Sequence, residues 1–207
     1  MKRPDGSYWW EKINYITSFD ENGRAVRALG ISNDVTNMMA NKMDKNQELL
    51  KIAYKDELTD IGNRRACFNY INELIHNKCS FSVAYIDIDS LKYVNDKFGH
   101  NKGDEYIKYV VDMIKTSIRG DEELFRIGGD EFIYIDKNND TNFINDKFLL
   151  LDSKIKSLNR AYKAAISYGV VYVDSNSNLT CKEILSKADK KMYIYKQRKK
   201  IDVVNSI

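Results

Sequence analysis

The stretch Leu124-Phe125-Arg126-Ile127-Gly128-Gly129-Asp130-Glu131-Phe132-Ile133-Tyr134-Ile135 reads as two short apolar strands, 124–127 and 132–135, folded back across an acidic turn. Tandem glycines in that turn permit backbone with φ > 0 and let a ligand approach the chain closely. The β-rich run 81–88 lies upstream and ends among acids, at Asp87 and Asp89. Between run and hairpin, 104–118 carries Ile107, Val110, Val111, Ile114 and Ile118 at the 3.6-residue period of a helix face. A helix over 65–75, with Phe68, Ile71, Leu74 and Ile75, comes first; a polar helix, a strand over 165–173 and a final helix over 181–196 come last. The core order is β-α-β-β-α-β. It predicts an α/β (α+β) domain with a mainly antiparallel central sheet of palm or ferredoxin-like topology, flanked by helices.

In that topology the first strand and the hairpin are neighbours, so Asp87 and Asp89 approach Asp130 and Glu131. Carboxylates gathered where water is scarce repel one another strongly unless a cation lies between them. An oxygen-only donor set, with no histidine or thiolate nearby, points to Mg²⁺ or Mn²⁺. Magnesium on few carboxylates keeps coordination positions open for a nucleotide's phosphates. Singly, such acids also serve as solvated turn formers. It is the set that argues for a site.

The 207 residues allow one domain of ordinary size plus about fifty residues more. A 43% hydrophobic and 12% aromatic composition is enough to bury a core, which excludes wholesale disorder. One proline and ten glycines exclude collagen-like and Pro-rich linker chains. No apolar run approaches the roughly 18 residues that span a bilayer. The opening MKRPDGSYWW lacks the apolar stretch of a secretion signal. Cys67, Cys79 and Cys181 are too few and scattered for a disulfide scaffold or a CxxC zinc site, so the expectation is a cytoplasmic, reduced protein. The net charge of +3, against 33 basic and 30 acidic residues, does not indicate a nucleic-acid surface. Residues 187–200 nonetheless hold seven cations against Asp189 alone, which suits either a solvated helix end or a site for phosphates.

Residues 8–19 and 25–31 flank the turn Asp20-Glu21-Asn22-Gly23 and read as a hairpin. Alone, a two-stranded hairpin is marginal in water, so it packs on something else or is the remnant of a larger sheet. Residues 35–55 read as helix. Met39, Met43, Asn46, Leu50 and Ala53 are spaced as a heptad seam with Asn46 at an a-type position, which favours a parallel pair. Two heptads equally suit an amphipathic connector.

Gly128-Gly129-Asp130-Glu131-Phe132 is the GGDEF signature, and the chain resembles the GGDEF-domain diguanylate cyclases from about residue 56 to 200. Asp56-Glu57-Leu58-Thr59 with Asn63-Arg64-Arg65 is similar to that family's DxLTGLxNRR. Asp87-Ile88-Asp89, Lys92, Asn95-Asp96, Phe98-Gly99-His100 and Gly103-Asp104 follow DIDxFKxxNDxxGHxxGD. Ala188-Asp189, Met192-Tyr193 and Lys196 resemble ADxAMYxAK. The resemblance implies the GGDEF fold and an enzyme that joins two GTP into cyclic di-GMP with release of pyrophosphate, working as a Mg²⁺-dependent homodimer (Mn²⁺ in its place), its product read by downstream effectors. It assigns Asp87, the Ile88 carbonyl and Asp130 to the metal, and Glu131 to activating the attacking 3′-hydroxyl. Asn95 and Asp104, with His100 nearby, would hold guanine between Leu91 and Ile107. Lys92 and Lys196 would meet the phosphates, with Gly128 and Gly129 allowing close approach. His100 also has a reading as a loop cap.

The chain departs from the family pattern at three places. Asp60 stands where the family has glycine. Lys200 replaces a phosphate-binding arginine, so a bidentate fork becomes a point charge. The product-inhibition motif RxxD reads Arg119-Gly120-Asp121-Glu122, with a glutamate at the acidic position, so feedback inhibition is not expected. The N-terminal segment resembles the last two strands of a PAS sensor domain through Asp5-Gly6, Trp9 or Trp10, Asp20 and Gly23, Gly30-Ile31 and Asp34-Val35-Thr36. Nothing upstream could form the ligand pocket of such a sensor, so no cofactor is expected there. The implied organisation is a partial PAS-like hairpin over 1–36, a signalling connector over 37–55, the GGDEF domain over 56–200 and a tail over 201–207. Two other readings stay open: a degenerate domain that binds GTP or cyclic di-GMP as a receptor, and a cyclase making a mixed dinucleotide. No GxxxxGK[ST] of a Walker-type NTPase occurs.

Overall fold

An aspartate closes the turn over residues 20–23. Asp20 Oδ1 accepts the N–H groups of Asn22 and Arg24 at 2.9 and 2.8 Å, and Gly23 takes φ +75°. The turn joins β1 (Glu11–Phe19) to β2 (Ala25–Asp34), an antiparallel two-stranded sheet with an irregularity at Ser18/Phe19. Its Ile13, Tyr15, Ile16, Leu29 and Ile31 are exposed. Helix α1 (Thr36–Tyr54) starts where the Thr36 N–H bonds Asp34 Oδ1 and the Thr36 hydroxyl accepts from the Trp10 N–H. Met43 and Leu50, on the heptad seam, are exposed. The computed structural model describes residues 6, 8–138, 141–157 and 162–205, apart from the side chains of 46, 47, 200 and 202–205. The Asn46 side chain therefore lies outside the described residues. The chain divides into two compact units, 1–51 and 52–207.

The second unit contains α2 (Arg64–His76), β3 (Phe81–Ile88), α3 (Leu91–Phe98), α4 (His100–Lys115), β4 (Glu122–Arg126), β5 (Glu131–Asp136), α5 (Thr141–Lys156), β6 (Ile166–Val173) and α6 (Cys181–Asn205). One sheet has the order β4-β5-β3-β6, every neighbouring pair antiparallel. Strand β3 takes a central place because it is apolar on both faces, and all eight of its residues are buried. Ala84, Ile86 and Ile88 pack with Val110 and Ile114 of α4 and Ile144 and Phe148 of α5. Phe81, Val83 and Tyr85 pack on the other side with Ile71 and Leu74 of α2 and Ile184 and Met192 of α6. Each fully buried aliphatic, such as Ile71 or Ile114, contributes about 2 kcal/mol. At Gly169 the backbone of α6 rests directly on β6. A Cβ there would lie 2.2 Å from Met192 N and 2.5 Å from Ala188 O, so only glycine fits.

The sheet and its topology match the expectation from sequence; one helix, the start of α4 and the end of α6, which runs to Asn205 rather than 196, do not. Helix α3 was not expected, because eight residues with only Leu91 and Val94 buried carry too little periodicity to read. Helix α4 begins at His100 rather than near 104. Gly99, at φ +86°, ends α3 and precedes α4 without a side-chain cap, and the first turn of α4 is polar. Gly99, not His100, holds the cap position.

Candidate active site

The register of the sheet joins the acidic strand end to the acidic turn. Asp87 on β3 pairs with Glu131 on β5, and the Ile88 N–H donates to the Asp130 carbonyl at 2.9 Å. Lys196, on α6, brings its Nζ to 2.5 Å from Asp87 Oδ1 and 3.9 Å from Asp89 Oδ1. Burial pushes the Asp87 carboxyl above its ordinary pKa and the negative charges of Asp130 and Asp89 add to that, against the pull of Lys196. For Lys196, burial opposes the charged form, but the Asp87 hydrogen bond and the charges of Asp87, Asp89 and Asp130 outweigh it, so its pKa is raised. One ammonium thus answers three carboxylates. Asp89 is partly drawn off: its oxygens accept from Ser167 Oγ at 2.9 and 3.0 Å and from Lys199 Nζ at 2.9 Å. Lys199 in turn reaches Asp152 and the Ile166 carbonyl. Among the described residues, no three acidic, histidine or cysteine side chains gather as a metal cage.

The turn itself is fixed by Arg126. Its guanidinium donates to the carbonyls of Gly128 (3.1 Å) and Gly129 (2.9 Å) and forks onto Asp56 at 2.9 and 3.2 Å. Asp56 also accepts from the Thr59 N–H and hydroxyl at 3.0 and 2.6 Å. Burial raises the Asp56 pKa, but the Thr59 and Arg126 hydrogen bonds and the Arg126 charge outweigh it and hold it below the ordinary value. Two sequence motifs seventy residues apart are therefore one structural piece. The tandem glycines act differently from the expectation: neither Gly128 nor Gly129 is among the residues with positive φ. A Cβ on Gly128 would sit 2.5 Å from Glu131 Oε2, so a larger residue there would displace that carboxylate, while Gly129 has nothing within 4 Å. Glu131 Oε1 accepts from the Tyr85 hydroxyl at 2.8 Å.

On the other side of β3, α3 and α4 meet closely. A Cβ on Gly103 would fall 1.8 Å from Asn95 Oδ1, so the half-buried Asn95 side chain lies against the backbone that leads into the exposed Asp104. Leu91 and Ile107 are buried in the core beneath. Lys92 is exposed on the first turn of α3 and His100 is exposed at the start of α4. The Lys200 side chain lies outside the described residues. Sequence reasoning missed Tyr85, Arg126, Lys199 and Ser167. Tyr85 stands two residues before Asp87 and so on the same strand face, and Arg126 is a charge inside an apolar strand; both were readable signals.

Residues 53–201 match the family described as "Diguanylate cyclase, GGDEF domain". The chain belongs to this family. It is 32% identical over 165 residues to the diguanylate cyclase DgcP of Escherichia coli, covering 75% of this chain and 48% of that protein. It is 37% identical to the probable diguanylate cyclase DgcT of Escherichia coli, with 74% and 37% covered. The chain thus spans about half or less of the length of these curated relatives. The crystal structure of the coiled coil and GGDEF domain of DgcB from Caulobacter crescentus in complex with c-di-GMP superposes with a TM-score of 0.70 at 22% identity, covering 78% of this chain and 90% of that one. The FimX GGDEF domain from Pseudomonas aeruginosa gives 0.64 at 16% identity, covering 70% and 94%. Both show the shared GGDEF fold.

Two departures from the GGDEF pattern have visible consequences. Asp60 adopts φ +54°, the left-handed conformation that a glycine accepts freely and an aspartate tolerates at a cost. Its carbonyl accepts from Lys55 Nζ at 3.1 Å. Glu122 is turned inward: it is 5% exposed, ion-paired with the buried Lys147 Nζ, and accepts from the Arg119 N–H at 2.8 Å. The Arg119 side chain is exposed. The pair does not present an arginine and a carboxylate together to a ligand. Among the described residues no helix is long and apolar enough to cross a membrane.

Proposed function

We propose that the chain is a diguanylate cyclase, condensing two GTP into cyclic di-GMP with release of pyrophosphate. The observation that carries this is the seating of Asp87, Asp130 and Glu131 at one strand end beside Lys196, in a chain of the GGDEF family. Asp104 and Asn95 select guanine. A carboxylate accepts from the guanine N1–H and N2–H, which adenine lacks, and a group left unpaired in a site discriminates by about 10⁴-fold. Lys92 and Lys196 receive the triphosphate, with Lys200 where relatives carry arginine. Glu131 takes the proton from the attacking 3′-hydroxyl, whose oxygen forms the new bond to the α-phosphorus as pyrophosphate departs. Each chain holds one nucleotide, so two copies face each other to close a ring of two phosphates, and the homodimer is the working unit.

The donors fit a hard divalent cation, Mg²⁺ or Mn²⁺. Two carboxylates and the Ile88 carbonyl are an oxygen-only set, and burial with the charges of Asp130 and Asp89 holds the Asp87 carboxyl above its ordinary pKa even with Lys196 beside it, so the set favours further positive charge. When bound, the ion supplies neutralisation of charge on the transferring phosphoryl group. In this reading residues 37–55 connect an N-terminal sensory hairpin to the cyclase, which makes its messenger in the bacterial cytoplasm for separate effectors.

The test is mass spectrometry of products after incubation with GTP and Mg²⁺, beside the double variant Asp130→Ala/Glu131→Ala. Cyclic di-GMP from the wild type alone supports the reading. A folded, dimeric wild type that yields none overturns it.

A further inference from the structure

Glu131 is the carboxylate on which the proposed chemistry turns, and its surroundings are unusual for a group that must take a proton. It has no described cationic partner. Oε1 instead accepts from the hydroxyl of Tyr85, a side chain 8% exposed on the neighbouring strand. Oε2 lies over the bare Cα of Gly128, where a Cβ would approach to 2.5 Å. The carboxylate is thus held at Oε1 by a neutral donor, and Oε2 lies where the missing side chain of Gly128 leaves room. The Tyr85 ring is itself held in place. It belongs to the cluster formed by α2, α6 and the sheet, and it lines a cleft of about 650 Å³ with Phe68, Ile127 and Leu185.

We propose that Tyr85 is a positioning residue for Glu131: its buried hydroxyl fixes the rotamer of the catalytic carboxylate and leaves Oε2 as the oxygen that meets the substrate. This rests on the cyclase reading, in which Glu131 activates the 3′-hydroxyl. A tyrosine suits the task better than a lysine or arginine would. A cation at this distance would stabilise the ionised carboxylate and weaken it as a base, whereas a neutral hydroxyl orients it with less loss of basicity. On β3 the placement follows from strand period alone, since residues 85 and 87 share a face and 87 pairs with 131.

The experiment is a double-substitution cycle on the full chain with Tyr85→Phe and Glu131→Gln. Tyr85→Phe removes one oxygen and keeps the ring packing. The expected result is kcat lowered about tenfold with KM for GTP within twofold, because Asn95, Asp104 and the lysines still hold the nucleotide. In the Glu131→Gln background the same change lowers kcat no further. Gly128→Ala, which pushes on Oε2 with Tyr85 intact, lowers kcat comparably. An unchanged kcat in folded Tyr85→Phe, or an equal loss in the Glu131→Gln background, overturns the proposal. The ¹³C shift of the Glu131 carboxyl supplies a readout independent of turnover. It moves on Tyr85→Phe if the hydroxyl holds it, even should the wild type make no product and the cyclase reading fail; an unmoved resonance overturns the proposal.

Discussion

A glutamate begins each strand of the β4–β5 hairpin, and the two have opposite fates. Glu122, at the start of β4, is buried and pairs with Lys147, itself 8% exposed. Glu131, at the start of β5, is half-buried and bonded to a neutral hydroxyl, with one oxygen left against a bare glycine. The difference teaches that a carboxylate is made structural or chemical by its partner. A charged partner in a dry place locks it, because breaking the pair strands an ion. A neutral donor orients it and leaves its charge for something else. From sequence, Glu122 was expected to break the Arg119 inhibition motif and Glu131 to act on the substrate; the structure gives the first a buried ion pair and the second a neutral hydroxyl partner.

The largest expected effect contrasts the two directly. Glu131→Gln should lower kcat by about 10²–10⁴-fold while the urea midpoint barely moves. Glu122→Gln should do the reverse. Leaving Lys147 buried without its counter-ion should cost about 3–5 kcal/mol of unfolding free energy, with kcat per folded molecule within twofold. If Glu122→Gln instead abolished turnover in folded protein, the comparison would break.

A smaller effect concerns strain near the same hairpin. Asp60→Gly should stabilise the domain by about 1 kcal/mol in urea titration, by relieving the left-handed backbone at φ +54°. No gain would mean that the Lys55–Asp60 hydrogen bond already compensates the strain. Asp56 provides a pH test. Its folded pKa is held below the ordinary 3.8, so the stability it contributes is present above that value and is lost as pH falls through the lower folded value. Asp56→Asn should therefore be less stable than wild type at pH 7, and the gap should close in acid; a gap independent of pH would remove the Arg126 pair from the account. The smallest change is expected from added product. Because Glu122 is already engaged by Lys147, initial rates should stay within twofold as cyclic di-GMP is added, and strong inhibition would show that the Glu122–Lys147 pair opens.

Much of the fold was legible because period and punctuation survive in a chain. The run 81–88 is the central strand β3 with the same limits, and 104–118 contains most of α4. What escaped were elements with little apolar signal: α3, with two buried residues, and the polar first turn of α4. The acids of the site were legible as a set because repulsion among carboxylates demands an explanation. Their partners were half legible: Lys196 was given a role, whereas Lys199 and the Ser167 hydroxyl were not, since nothing local says which side chain of a helix or of a neighbouring strand reaches the acids.

The sequence alone determined the order of elements, the sheet topology they imply, the acidic strand end facing an acidic turn and the family to which these residues belong. Those follow from short-range pattern, which one dimension preserves. Only the tertiary structure decided what each charge meets. It joined Asp56 to the turn through Arg126, closed Glu122 on Lys147, set Tyr85 on Glu131 and gave neither Gly128 nor Gly129 a positive φ. The reason is that a carboxylate's behaviour depends on neighbours within a few ångströms, and here those neighbours lie between 3 and 110 residues away in the chain.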